Sequence, residues 1–548
     1  MANRPQYRTL NIFRPAGRDR RPSSRPRHLG ALLRRLPVSW QAAPVRRVFQ
    51  TICLLLFLDL FLRVSWPYTA LLSGQMTPSR HSLPVHLFLW LDPLTGLSTA
   101  IAARWWNTAV IGMAVILTAG LIFPRGFCGY LCPLGTLIDL FDFCVGKRIR
   151  PSKPRKLGQW SNLRFYLLAG VLAAALGGVL LSGFAAAIPV LTRGLLFSAG
   201  NLQLGLARNW GMVPPFTAAI WVSLALFAAV FLLGLIGPRF WCQYICPSGA
   251  LLALPSLLRI PRRQVSDRCI ECGKCIEVCP FDAIQPDFGT RTLNCTFCQT
   301  CGGVCPTEAI SFGPVSTAKS GTRPDTTTGQ PLTRRAMLGS VAAGIASAVT
   351  ARSANASQIR PIRPPGSVPE ERFLALCIRC EQCLKVCPGP VLQAAGFEHG
   401  FESLWTPVAV FPHAGCHQNC NWCTQACPTG AIQPLSLAEK RKAVMGLAVL
   451  NTGTCLPHHG ERECQLCFDE CNAAGYRAIE MRPIELASGP VPEGTFSPDE
   501  IEQMSRILAP FVKSDACVGC GLCEYRCHSV WVGRQKQLSK SAIIVKPT

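Results

Sequence analysis

Twenty-four of the 30 cysteines fall into six runs in the second half of the chain. The first run is Cys269, Cys272, Cys275 and Cys279, followed by Pro280. The second is Cys295, Cys298, Cys301 and Cys305, then Pro306; the third is Cys377, Cys380, Cys383 and Cys387, then Pro388. The fourth is Cys416, Cys420, Cys423 and Cys427, then Pro428. The fifth is Cys455, Cys464, Cys467 and Cys471; the sixth is Cys517, Cys520, Cys523 and Cys527. The spacing C-x2-C-x2-C-x3-C-P is one that holds [4Fe-4S] clusters: three thiolates in a tight loop grip three irons of one cube, and the fourth usually serves a neighbouring cube. Six runs imply about six clusters, and so a path for single electrons.

The plain alternatives fit less well. Structural zinc takes two C-x2-C pairs across a longer gap, or Cys/His mixtures. Disulfides belong to small secreted scaffolds, which this chain far exceeds. Attached haem needs C-x-x-C-H, and the nearest approach is Cys523 to His528 at C-x3-C-H. Runs four to six depart from the pattern: run four opens with three intervening residues, run five with eight, and Asn472 and His528 stand where proline is expected.

Six cysteines lie outside the runs. Four belong to an internal repeat, Pro124-Arg125-Gly126-Phe127-Cys128-Gly129-Tyr130-Leu131-Cys132-Pro133-Leu134-Gly135 and Pro238-Arg239-Phe240-Trp241-Cys242-Gln243-Tyr244-Ile245-Cys246-Pro247-Ser248-Gly249. Both copies follow an apolar stretch, so the repeat is a duplicated two-helix unit. Cys128, Cys132, Cys242 and Cys246 could meet around a seventh [4Fe-4S] cluster, form a redox or structural pair, line a quinone pocket, or simply sit in helix-ending turns. Cys53 and Cys144 read as packing residues.

These groups need positioning elements. The chain has 548 residues, enough for three or four domains, with 49% hydrophobic and only 16% charged residues. That balance suggests a multi-domain membrane protein: a four-helix transmembrane α unit with soluble α+β modules. Apolar stretches near Val48–Val64, Asn107–Phe123, Leu163–Phe184 and Pro215–Ile236 approach the ~20 residues that a span needs. The net charge of +25 does not point to nucleic acid, because its distribution follows the membrane. Residues 1–47 hold twelve arginines and one acidic residue, Asp19. The loop after the second stretch carries Arg125, Lys147, Arg148, Arg150, Lys153, Arg155 and Lys156, and Arg239, Arg259, Arg262 and Arg263 follow the fourth. The positive-inside rule puts both ends of the unit in the cytoplasm. The basic tail reads as a membrane-surface segment, and no secretory signal opens the chain. Asp59, His81, His86 and Asp92 are candidate proton carriers.

The expected divisions are 1–47, a basic tail; 48–260, the four-span unit with both C-x3-C-P motifs; 261–314, a two-cluster domain; 315–356, a linker; and 357–548, a four-cluster domain. Runs one and two are each followed by an apolar patch, Phe281-Asp282-Ala283-Ile284 and Thr307-Glu308-Ala309-Ile310, the internal repeat of a two-cluster ferredoxin. By that pattern Cys269, Cys272, Cys275 and Cys305 hold one cube, and Cys295, Cys298, Cys301 and Cys279 the other. The linker contains Arg334-Arg335, a modestly apolar stretch and Ala354-Asn355-Ala356, the parts of a twin-arginine export signal in an internal position. A working signal would put runs three to six outside the cytoplasmic membrane; an uncleaved one would add a fifth crossing.

The first 314 residues resemble NapH, a membrane quinol dehydrogenase subunit, in their four stretches, two C-x3-C-P motifs and two-cluster domain. From about residue 333 the chain resembles NapG and MauM, through the twin-arginine segment, Arg363-Pro364-Pro365-Gly366, Cys377-Ile378-Arg379-Cys380 and the stretched run from Cys455 to Cys471. The whole looks like a fusion of the two types. The resemblance implies electron flow from the quinol pool, through clusters, to a periplasmic redox partner. It places the chain in the bacterial inner membrane, with 261–314 cytoplasmic and 357–548 periplasmic. It also implies pairing of the first with the fourth, and the second with the third, of the last four runs. Adjacent pairing is the alternative. Each cube takes one electron, so a two-electron donor must be split. Lys274, Arg379 and Lys385 could raise cluster potentials or guide an acidic partner, or be ordinary solvated charge. No nucleophile or general-base set points to chemistry beyond redox. The rival reading is a polyferredoxin that supplies electrons for maturing a metalloenzyme; a third is a docking subunit cross-braced by its clusters.

Overall fold

Gly177-Gly178 ends the third apolar stretch early. Gly178 adopts a φ of +81°, open to glycine and costly for other residues. The helix therefore stops at Leu176, not at Phe184. The computed structural model describes residues 44–63, 86–106, 109–123, 125–149, 162–207, 210, 213–258, 261–314, 332–355, 360–485 and 506–548. The tail through residue 43, His81, Lys153, Arg155, Lys156, the polar linker 315–331 and Ala356 lie outside them.

The helical unit is built from α1 (Pro44–Arg63), α2 (Pro93–Ala103), α3 (Ala109–Ile122), α4 (Pro133–Phe141), α5 (Leu163–Leu176), α6 (Ala187–Leu195), α7 (Ala218–Leu232), α8 (Pro247–Leu251) and α9 (Arg334–Asn355). It is richer than the expected four-helix bundle, because short helices fill the spaces between the long ones. Among the described residues one helix, Ala218–Leu235, is long and apolar enough to cross a membrane; α2, α3, α5 and the segment Pro247–Leu257 are apolar but shorter. Val48, Phe49, Ile52 and Leu55 on α1, Ile111 and Val115 on α3, and Trp221 on α7 face outward.

The twin-arginine segment forms α9, which runs parallel to α5 at close range. A Cβ on Gly344 would stand 2.3 Å from the Gly170 carbonyl oxygen, and one on Gly177 would stand 2.7 Å from the Ala348 Cβ. Small residues let two backbones approach this way. At the start of α9, Tyr166 Oη accepts from the Thr333 amide at 3.0 Å.

The ferredoxin units close with short antiparallel sheets. β1 (Pro261–Val265) pairs with β2 (Ile310–Pro314), so one strand pair brackets runs one and two. β3 (Leu392–Ala394) pairs with β4 (Pro407–Ala409). β5 (Leu447–Leu450) pairs with β8 (Ile543–Lys546), and β6 (Ile479–Glu485) with β7 (Arg506–Val512), framing runs five and six.

Gly344→Val should destabilise the protein by about 1–3 kcal/mol through overpacking. Denaturant unfolding in detergent measures this, and unchanged stability would show that α5 and α9 do not touch.

Candidate iron–sulfur sites

The two repeat motifs fold alike. Arg125 and Arg239 both take a left-handed turn, with φ of 51° and 50°. Each motif then makes one wide helical turn, Phe127–Leu131 or Trp241–Ile245, and its second cysteine caps a helix whose first residue is proline. The arginines cross over: Arg239 lies under Gly135 of the first copy, and Arg125 under Gly249 of the second. The Arg239 Nη1 donates to the Cys128 carbonyl at 2.9 Å.

This exchange brings Cys128, Cys132, Cys242 and Cys246 together. Burial pushes the Cys132 thiol up, and the Cys128 and Cys242 sulfurs push it further. Burial likewise raises Cys242 to about 11, with Cys128 adding to the shift. Behind the sulfurs, Nε and Nη2 of Arg125, Nε of Arg164 and Nε1 of Trp241 are buried with no hydrogen-bond partner. Four thiols with orphaned cationic donors beside them make a dry, anion-favouring site, which suits a cube carrying net negative charge with four thiolates.

Asp139 is the counter-ion of the region, and nothing in the sequence pattern singled it out. Its Oδ1 receives Arg239 Nε at 2.7 Å, and its Oδ2 receives Arg47 at 2.7 Å and Arg46 at 3.0 Å. Burial alone would raise this carboxyl, but Arg239 and Arg46 hold it well below the usual carboxylate range. Asp139→Asn leaves buried guanidinium groups uncompensated and should cost about 3–5 kcal/mol of stability. Because the folded pKa is depressed, Asp139's contribution is present above its unfolded pKa near ~4 and is lost as pH falls toward the folded value. Unfolding free energies should show a wild-type advantage that is flat around neutrality and shrinks in acid. An advantage unchanged down to pH ~2 would remove Asp139 from this role.

The ferredoxin unit of runs one and two sits on the repeat motifs. Arg125 Nη1 donates to the Leu293 and Asn294 carbonyls at 3.3 and 3.1 Å, and Arg164 Nη2 to Asn294 Oδ1 at 2.6 Å. Tyr130 Oη donates to the Phe297 carbonyl at 2.9 Å, and Gln243 Nε2 to the Pro280 carbonyl at 2.6 Å. Cys242 packs against the cluster of Phe281, Ala283, Cys295 and Phe297. A cavity of about 370 Å³ is lined by Cys279, Cys295, Cys298 and Cys301. Cys269, Cys272 and Cys275 form the other group, each sulfur raising Cys275 after burial does. The Cys305 sulfur accepts from the Ala309 amide at 3.3 Å, as Cys279 does from Ala283 at 3.3 Å. Such N–H···S bonds tune cluster potentials.

The last four runs pair as neighbours, in contrast to the first-with-fourth order that the resemblance implied. Cys383 feels the Cys380, Cys377, Cys427 and Cys423 sulfurs after burial itself, so the end of run four lies beside run three. A cavity of about 790 Å³ is lined by Cys387, Cys416, Cys420 and Cys423, so run four takes the last cysteine of run three. After burial, Cys467 feels Cys464, Cys455 and Cys527, and Cys523 feels Cys520, Cys467, Cys517 and Cys471, so the cysteines of runs five and six lie together. The strand pairs explain the difference, because β5–β8 and β6–β7 close runs five and six into a unit of their own. The two units meet where the Cys416 amide donates to the Cys520 carbonyl at 2.8 Å.

Runs three to six dock on the helical unit through run three. Arg379 Nη1 donates to the Leu180 carbonyl at 2.6 Å, and Arg193 Nη1 to the Arg379 carbonyl at 3.2 Å. Trp405 Nε1 donates to the Ala219 carbonyl at 2.7 Å, and Phe184 stacks on Phe401 at 5.1 Å. Arg379 and Lys385 are buried, so neither is ordinary solvated charge. Of the candidate proton carriers, Asp59 pairs with Arg63 at 2.8 Å on an exposed face. Asp92 is fully buried, caps α2 through the Leu94 amide at 3.1 Å and receives Ser248 Oγ at 3.3 Å. His86 packs on Trp90 with both ring nitrogens unpartnered.

Among the described residues no three His, Cys, Asp or Glu side chains close on a single-ion position. A single zinc draws sulfur ligands to ~2.3 Å of one point, whereas a cube spreads them over its corners.

These cavities and groups define an iron–sulfur electron carrier of ferredoxin type. Family models described as "4Fe-4S binding domain" match residues 264–285 and, separately, 105–151 and 219–263, the last two covering both C-x3-C-P motifs. MauM, a methylamine utilization ferredoxin-type protein of Paracoccus denitrificans, is 34% identical over 186 residues, which is 34% of this chain and 74% of MauM. The ferredoxin-type protein NapG of Escherichia coli is 35% identical over 192 residues, 34% of this chain and 75% of NapG. The putative electron transport protein YccM of E. coli is 28% identical over 212 residues, 36% of this chain and 53% of YccM. No solved structure matches. The chain belongs to the MauM/NapG family of ferredoxin-type proteins, and it is an iron–sulfur electron-transfer protein.

The neighbour pairing predicts a specific iron count. Adding Cys387→Ser to a Cys420→Ala/Cys423→Ala background should remove no further iron, because all three serve one cube. Loss of a second cube's iron would reinstate the first-with-fourth order.

Proposed function

We propose that the chain is a membrane-bound quinol dehydrogenase-type conduit, a NapH-type front joined to a NapG/MauM-type back, that carries electrons from quinol to a redox partner outside the membrane. In this reading runs one and two hold two cubes and runs three to six hold four, with pairing as above. Cys128, Cys132, Cys242 and Cys246 hold a seventh. When bound, the cubes supply one-electron storage and transfer. Quinol oxidation releases two electrons and two protons, the electrons going one at a time to iron–sulfur acceptors and the protons to water.

The observation that carries the reading is a continuous packed core. Cys132 and Cys246 share it with Ile378 and Cys380 of run three, through Ile188 and Leu191 of α6 and Leu180. On the other face Cys242 packs on the inner ferredoxin. The motif cysteines thus lie between the two sets of runs.

The membrane placement rests on α1. Its 20 residues extend ~30 Å, the thickness of a hydrocarbon core. Arg46 at one end bonds the Gly129 carbonyl of the first motif, and Phe61 at the other lies 3.8 Å under Lys385 Nζ. Exposed Trp105, Trp106, Trp210, Phe216 and Trp221 suit an interfacial aromatic belt near the outer ferredoxins. With α1, α3, α5 and α7 crossing alternately, the inner ferredoxin is cytoplasmic. The retained twin-arginine helix α9 is a fifth crossing that delivers runs three to six to the periplasm.

Full-length protein in lipid nanodiscs, given a reduced menaquinol analogue, should lose the visible absorbance of its oxidised clusters. Failure of any quinol to bleach it would end the quinol reading. Topology reporters near residue 320 and at the C-terminus should report opposite sides; two cytoplasmic signals would exclude the fifth crossing.

A further inference from the structure

The outer joint leaves a cleft between the helical unit and the end of run three. Phe197, Leu204 and Ile220 line one wall, and Pro388, Pro390 and Leu392 line the other. Its make-up is that of a small-molecule site: apolar walls with a few polar groups. Those groups are Lys385, Asn201 and Gln393. Lys385 is buried, and its Nζ is steered by Gln203 Oε1 at 3.1 Å and by the Phe61 ring at 3.8 Å.

Two further facts narrow the occupant. Cys387 lines this cleft and also the neighbouring cavity with Cys416, Cys420 and Cys423. Cys387, Pro388, Gly389 and Leu392 line both, so this shared wall separates the cleft from an iron–sulfur site. The cleft also lies at the start of α7: Thr217 lines it, and Phe216 beside it packs on exposed Trp221 at 5.5 Å. A lipid-soluble molecule can reach it from the aromatic belt, and a cationic donor with two amides suits a ring bearing paired oxygens.

We propose that this cleft binds the headgroup of an isoprenoid quinone. Lys385, Asn201 and Gln393 provide the polar contacts to the ring oxygens, and the tail leaves past Thr217. This deepens the quinol reading above, on which it rests, by locating the site on the outer side between residues 196–220 and 384–394.

The test uses full-length, iron-loaded protein in nanodiscs and 2-heptyl-4-hydroxyquinoline N-oxide, a fluorescent quinol analogue whose emission is quenched on binding. One binding event per chain is expected, displaced by short-chain ubiquinone. Thr217→Trp, which fills the mouth from an exposed position, and Lys385→Met should each weaken binding about tenfold or more, while Lys385→Arg retains it. Leu202→Trp, outside the cleft, serves as the control, and iron content checks folding for all variants. Binding unchanged in both Thr217→Trp and Lys385→Met overturns the site, as does displacement by phospholipid but not by quinone. Cluster bleaching by quinol separates the two ideas. Bleaching that persists in Thr217→Trp with unaltered inhibitor sensitivity sinks the site and keeps the quinol reading. Cleft-dependent binding without any bleaching keeps the site and sinks that reading.

Discussion

Buried guanidinium groups govern how the parts of this molecule join. Among the described residues the five largest fully buried side chains are Arg125, Arg164, Arg193, Arg239 and Arg379. Arginine stays charged in a protein interior, so each must find acceptors there. Arg239 has the carboxylate of Asp139. The other four bond mainly to backbone carbonyls: Arg125 and Arg164 at Leu293, Arg193 at Gly183, and Arg379 at Leu180, Glu402 and Leu404. A carbonyl is free to accept only where a helix or strand has ended. The breaks after α5 and in the loops at 293–294 and 402–404 are therefore the sockets of the joints. Aromatic faces complete them, with Phe281 under both Arg125 and Arg239, and Trp405 under Arg193 at 3.9 Å.

Local spacing also sets backbone shape around the clusters. In runs one, two, three and six the first two cysteines are two residues apart, and the residues on both sides of the second cysteine take positive φ. These are Glu271 and Gly273, Phe297 and Gln299, Arg379 and Glu381, and Gly519 and Gly521. Runs four and five, with longer first gaps, lack this: Asn421 and Gln465 have φ of −131° and −126°. Left-handed backbone costs a non-glycine residue roughly 1–2 kcal/mol. Five non-glycine residues hold it here because the turn must aim successive sulfurs at one cube.

This contrast shows where the sequence was readable. The cysteine runs, the doubled P-R-x-[FW]-C-x-Y-[LI]-C-P-x-G motif and the apolar stretches are local patterns, and each folds as a local unit. The convergence of the four motif cysteines was one of several open readings, and the crossing of Arg125 and Arg239 selects it. What stayed hidden depends on distant partners. The neighbour pairing of runs three to six follows in large part from the β5–β8 pair, which joins residues nearly a hundred positions apart. Asp139 has no counterpart in the second repeat copy, where Ala253 stands. The export-like segment disguised α9, because the small residues that make it only weakly apolar are those that seat it against α5.

The burial of run three has a consequence for biogenesis. Ile378 and Cys380 are sealed beneath Leu180 and the Gly183 loop, where a Cβ on Gly183 would stand 2.5 Å from the Ile378 carbonyl oxygen. If Cys377, Cys380 and Cys383 hold a cube as proposed, that seam covers it on the side of the helical unit. Its installation would then precede docking, and the seam would act in assembly as a one-way step that seats a metallated module.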